Sequence, residues 1–200
     1  MTNEEVCMTC FRDFTVPLWE NFVGNLFMFA TIVFYIAWWT VSFRPNGDGN
    51  TAGAGFFIAV AFFAGVAAIA ILFTGINSLS QAGKGFPMTY ILVGAAVSYI
   101  ILLAVTKIAF QRAVTSELLL ITVWAALEWS AIAVLQGSGR FSIGQVLTIE
   151  VLVALATGAG IVCYILHYRL DEISRFWNGV IPLIVDAGVV AVFLAVLALS

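Results

Sequence analysis

The chain has 200 residues, 62% of them hydrophobic and 10% charged, with a formal net charge of −3. A soluble globule carries roughly 45–50% apolar and about 25% charged residues, and a small one must cover itself with polar surface. A mean hydropathy of +1.08 therefore makes the bilayer the expected solvent, the acidic balance leaves no basic footprint for nucleic acid, and the length suits one compact domain.

Residues 1–15 read as a short exoplasmic segment. Glu4, Glu5 and Asp13 stand where a signal peptide would be basic, so none is expected. Cys7 and Cys10 form a C-x-x-C, which is a redox pair or half of a zinc site, or else two plain thiols or a local disulfide. With one histidine in the chain, a complete zinc site has few further ligands to draw on.

About 20 mostly apolar residues cross roughly 30 Å of hydrocarbon, and six segments qualify: Val16–Phe43, Ala52–Ile76, Thr89–Phe110, Glu117–Leu135, Ile143–Leu166 and Trp177–Leu199. The first is long enough to tilt. Such runs are too long and continuous for barrel strands, and only helices or closed barrels satisfy the backbone in lipid. The expected fold is an all-α integral membrane bundle of six helices over residues 16–200. Six spans are compatible with an inverted three-plus-three repeat, although none is visible by eye. Turn-rich stretches separate the spans at Arg44–Gly53, Asn77–Pro87 and Gln136–Ser142. Thr115 or Ser116 is placed to cap the fourth helix, with Glu117 in its first turn.

Arg44, Lys107, Arg112, Arg169 and Arg175 fall on one side of this arrangement and Arg12, Lys84 and Arg140 on the other. The excess assigns the first, third and fifth loops to the cytoplasm and both termini to the exoplasmic side. Trp19, Trp38, Trp39, Tyr90, Tyr168 and Trp177 lie near span ends, as interfacial rings do. Trp124 and Trp129 lie deeper and are expected to pack between helices.

Three carboxylates break the apolar pattern. At 1.5 Å per residue, Glu128 lies roughly 16 Å into the fourth span, and Asp186 about 14 Å into the sixth. Glu150, about 10 Å from the outer end of the fifth span, falls within roughly 6 Å of the same depth. A charge facing lipid there costs at least ~2.5–3.5 kcal/mol, so the three are expected to face inward. No Lys or Arg shares their depth; Lys107 is near its helix end and can snorkel. They then either hold protons or share a bound cation, because burial and like charge disfavour the ionised acid. Asn25 on the first span and Thr122 on the fourth join Glu128, Glu150 and Asp186 as the expected binding or coupling site, with the metal, if any, left open. Tyr35, Ser98, Ser130 and Thr148 add polar groups nearby. The competing reading is that the acids hydrogen-bond to neighbouring helices and hold the bundle together.

Pro182 cannot donate to the carbonyl of Asn178 and lies one turn before Asp186, either as a simple kink or as a break exposing a carbonyl. Small residues recur at four-residue spacing at Ala61/Gly65, Gly94/Ser98, Ala154/Gly158 and Ala156/Gly160, the pattern of close helix seams. The charged stretch His167–Phe176 reads as a solvated link, or as a contact for a partner or anionic headgroup. Its single histidine makes neither a zinc nor a bis-histidine haem site.

The sequence lacks the P-loop, nucleophile-elbow, zinc-protease and dinucleotide patterns, and Lys107 is in the wrong segment for a retinal Schiff base. The function expected is a small proton- or cation-coupled transporter or channel for a small solute or ion. The alternative is a non-catalytic integral subunit of a larger membrane complex, and a lipid-modifying enzyme is a third reading. No catalytic residue and no cofactor is expected. Expected partners are the bilayer, a small solute or ion, and either further copies of the chain or other membrane subunits.

Overall fold

The computed structural model describes residues 16–45, 53–81, 88–111, 116–137 and 141–199. The N-terminal segment with Cys7 and Cys10, together with Lys84, Arg112, Thr115 and Arg140, lies outside the described residues. Within them the chain forms α1 (Val16–Phe43), α2 (Ala54–Gln81), α3 (Met88–Phe110), α4 (Ser116–Gly137) and α5 (Ile143–Leu166), then a short 3₁₀ turn (His167–Arg169) and α6 (Glu172–Leu199). All six helices are long and apolar enough to cross a membrane.

Local chemistry sets several helix ends. Ser142 and Gln145 cap α5 reciprocally: the Ser142 Oγ accepts the Gln145 N–H at 3.3 Å, and the Gln145 Oε1 accepts the Ser142 N–H at 2.9 Å. At the end of α3, Gln111 adopts a left-handed conformation with φ 52°, which turns the chain out of the helix. Arg169 closes the same end by donating from Nη2 to the Phe110 carbonyl at 3.2 Å. Two helices exceed their expected bounds by more than two residues. The α2 helix runs on to Gln81 rather than stopping at Ile76, and α6 starts at Glu172 rather than Trp177. Asp171 explains the second difference. Its Oδ2 accepts the Ser174 N–H at 3.2 Å and its carbonyl accepts the Arg175 N–H at 2.8 Å, so half of the charged link becomes the first turn of α6.

The helices are arranged as a ring of five with one outlier. Helix α1 lies along α2 on one flank and α6 on the other; α6 packs on α5, α5 on α4, and α4 returns to α2. Helix α3 stays outside, held mainly by α4. The buried apolar core accordingly draws on α1, α2, α4, α5 and α6, with Leu72, Ile76, Val153, Val190 and Phe193 nearly inaccessible.

Where helices cannot gain from excluding water, close packing must hold them together. The tightest seams lie at glycines on α1, α2 and α6. A Cβ on Gly24 would come within 2.6 Å of the Leu72 Cγ and 3.1 Å of the Leu72 backbone nitrogen. One on Gly75 would come within 3.0 Å of the Asn21 Nδ2, and at Gly179 the Trp39 ring fills the place of a Cβ. The spacing pattern anticipated only part of this. Gly65 meets Thr31 at 3.4 Å and Gly160 meets Ile121 at 3.6 Å, but Gly94 and Gly158 have no described atom within 4 Å of their Cβ positions.

Replacing Gly24 with Ala forces α1 away from the α2 backbone. Gly24→Ala should lose about 1–3 kcal/mol, the usual penalty for overpacking, while Gly65→Ala should be tolerated. Thermal unfolding in detergent measures both, and equal midpoints would contradict the tight α1–α2 seam. At the start of α6, hydrogen bonds from the Ser174 side chain, and then from its backbone N–H, hold the Asp171 carboxyl below the usual carboxylate range. A lowered value means the stabilisation is present at neutral pH and is lost as pH falls through the native-state value. Amide exchange should therefore show the Ser174 N–H protected at neutral pH and deprotected in acid. Asp171→Ala should expose it throughout, and Asp171→Asn should keep a cap that no longer responds to pH.

Candidate functional site

The ring of five helices lines a half-open cavity of about 250 Å³. Each helix contributes along one stripe. On α1 the lining runs Trp39, Tyr35, Ile32 and Met28, and on α4 it runs Glu117, Ile121 and Trp124. On α6 it runs Asn178, Gly179, Pro182 and Asp186. Gly65 and Ile69 of α2 and Gly160, Cys163 and Tyr164 of α5 complete the wall. Residues three and four apart share a helix face, so each stripe follows directly from the sequence once the helix phase is known.

The stripes give the cavity a direction. Trp39, Glu117, His167 and Asn178 stand at the end of the bundle formed by the carboxy ends of α1 and α5 and the amino ends of α4 and α6. Asp186, Trp124 and Met28 are the innermost lining residues of their helices. One further turn along α4 from Trp124 is Glu128, and one further turn along α1 from Met28 is Asn25. Beyond them the interior is closed by Leu18, Leu72, Ile76, Leu135 and Leu197.

Glu128 is 1% exposed, and neither carboxylate oxygen has a hydrogen-bond partner among the described residues. Asp186 is close enough to act on it electrostatically. Two carboxylates in so dry a setting cannot both be charged without repelling each other. Asn25 is fully buried; its Nδ2 donates to the Asn21 carbonyl at 3.0 Å, and its Oδ1 is left without a partner among the described residues. At the mouth, Glu117 acts electrostatically on Tyr35. Asn178 ties α6 to α5 by donating from Nδ2 to the Cys163 carbonyl at 2.7 Å. The helix passes through Pro182 without interruption, with the proline on the cavity side.

The other two expected site residues lie elsewhere. Glu150 is half-buried and is not among the described residues lining the cavity. It falls a heptad before Thr157, which lines a shallower groove of about 440 Å³ between α3, α4 and α5. Thr122 lines that same groove and spends its hydroxyl on its own helix, donating to the Leu118 carbonyl at 2.8 Å. Phase on α4 separates Thr122 from Glu128: a helix rotates 100° per residue, so six positions bring them to different faces. Ser130 is likewise occupied, donating to the Ala126 carbonyl.

Four contributors were not anticipated as site residues. Trp39 was expected in an interfacial band; it is instead 8% exposed, with its ring packed against Gly179. Trp124, also 8% exposed, was expected between helices and forms the inner wall. Neither indole Nε1 has a hydrogen-bond partner among the described residues. Trp129, by contrast, was expected to pack between helices but is exposed on the α3–α4 groove, where α3 presents the small residues Gly94, Ala95 and Ser98 between Tyr90 and Leu102. Asn178 and Gly179 complete the set. The α4 stripe Glu117–Ile121–Trp124–Glu128 was a usable signal in the sequence.

Among the described residues, no group of three His, Cys, Asp or Glu side chains could hold a metal ion. Compared with known proteins, the chain matches no family model, no curated protein and no solved structure.

A buried carboxyl with no partner is a burden on the fold. Glu128→Met, which keeps the length and removes the polar oxygens, should raise the unfolding free energy by about 1–3 kcal/mol, the cost of an unsatisfied buried polar group. Denaturant or thermal unfolding in detergent would show it. A lower stability would mean that the carboxyl holds the helices together.

Proposed function

We propose that this chain is a six-span integral membrane protein that moves a proton or a small cation across the bilayer, with Asp186 and Glu128 as its coupling pair. The observation that carries the reading is Glu128, deeply buried, without a hydrogen-bond partner among the described residues, and one turn behind the inner end of a cavity that reaches Asp186. An ionisable group in such a place is functional by default, because its presence is costly. Asn25 supports the pair by placing a buried polar side chain on α1 one turn past the cavity's end. The Lys and Arg balance assigns the cavity mouth to the cytoplasmic side, with both termini exoplasmic. Helices that part beyond Glu128 and close around Trp39 would present the same carboxyl to the other side, which is alternating access at a fixed site. Glu150 and Thr122 are left outside this pair.

A second reading, as an integral subunit of a larger complex, is favoured by α3. It packs mainly on α4 and exposes most of its apolar side chains, Tyr90, Ile100 and Ile108 among them. Purification in mild detergent separates the two: companion chains support the subunit reading, and a clean homomer counts against it.

Proton uptake into liposomes, driven by a potassium diffusion potential, tests the transport reading. Glu128→Gln and Asp186→Asn should each slow flux by about tenfold or more, equivalent to about 1.4 kcal/mol of barrier, with native elution retained. Glu150→Gln should leave most of the flux. Unchanged flux in the first two variants would remove the pair from the mechanism.

A further inference from the structure

The cavity in front of Asp186 also carries a chemical signature of what it accepts. Resting on the transport reading above, we infer that its substrate is a small organic ammonium ion with an apolar body. Two independent features converge. First, it carries a carboxyl group at each end, Asp186 innermost and Glu117 at the mouth, and no Lys or Arg is among the described residues lining it. Second, aromatic side chains line it from mouth to inner end: Tyr35 and Trp39 on α1, Trp124 on α4 and Tyr164 on α5. Ring faces attract a cation through their quadrupole, most strongly where water is thin.

The remaining wall decides against simpler cations. Ile32, Met28, Ile69 and Leu183 are apolar and offer no oxygens. A bare metal ion needs six or more converging oxygen ligands if it is calcium-like, or a water-rich octahedron if it is magnesium-like, and no group of three His, Cys, Asp or Glu side chains among the described residues could hold one. An ammonium with carbon substituents needs only one carboxylate and a ring or two. A cavity of about 250 Å³ limits the guest to a compact molecule. Gly179 belongs to the same device, because the absence of a side chain there lets the Trp39 ring lie against α6.

The test uses the full chain in detergent, titrated calorimetrically with benzyltrimethylammonium and with neopentylbenzene, its uncharged isostere. The cation should bind at least about tenfold more tightly. Asp186→Asn should abolish that preference, Trp39→Leu should weaken cation binding, and Trp39→Phe should retain most of it. Equal binding of the two probes to the unaltered chain overturns the inference, and so does a cation preference that survives Asp186→Asn. If Asp186→Asn does not elute as native protein, the isostere comparison on the unaltered chain decides alone. Proton flux, measured after the same protein is reconstituted into liposomes, separates the two claims. Flux without cation preference refutes only the substrate class, whereas cation preference without flux leaves a binding site and refutes transport.

Discussion

A carboxyl group withdrawn from water loses its hydration and must recover it from the protein or do without. Glu128 does without, since neither oxygen is hydrogen-bonded to a described residue. Such an arrangement persists only if the helices around it are held by something else. The glycine seams of α1 with α2 and of α1 with α6 do that work by letting the helices approach closely. The arrangement of the bundle follows from this division: close contact along α1, and a space between α1, α4, α5 and α6 that the side chains do not fill.

That space is built asymmetrically. At one end it is flanked by aromatic groups, with the Trp39 ring in contact with both Phe43 and His167, and Tyr168 against His167. At the other end it stops against a tightly packed apolar plug that includes Leu72, Ile76 and Leu135. Asp186 and Glu128 stand at the change from one to the other. A polar group on the open side can exchange with solvent, and one on the closed side cannot. A pair straddling the boundary is therefore a natural place for a proton or cation to wait between two sides, which is the basis of the proposed function.

Helix α3 follows a different logic. It adds nothing to the core cluster, and its polar Ser98 and small Gly94 and Ala95 face the groove on α4 instead of sealing it. The charged link before α6 is more ordered than its composition suggests. Arg169 closes the end of α3, Asp171 starts α6, and Arg175 donates to the Leu170 carbonyl at 3.0 Å. Charges that read as solvated filler are used to terminate helices.

Composition and run length alone determined that the chain is helical, that there are six long apolar segments, and roughly where each begins and ends, because an apolar backbone that must satisfy its own hydrogen bonds has few alternatives. They also singled out Glu128 and Asp186, since a carboxylate in such a run is conspicuous whatever its surroundings. What they left open was helix phase and neighbour choice. Thr122 and Glu128 share a helix and a depth range but face different spaces, and Glu150 shares the depth yet lies off the cavity wall. Trp39 looked like an interfacial ring and is a wall of the cavity, because Gly179 on a helix far along the chain has no side chain to hold it off. These outcomes depend on which helices meet, and that is set by pairwise fit between surfaces distant in sequence, which no local pattern encodes.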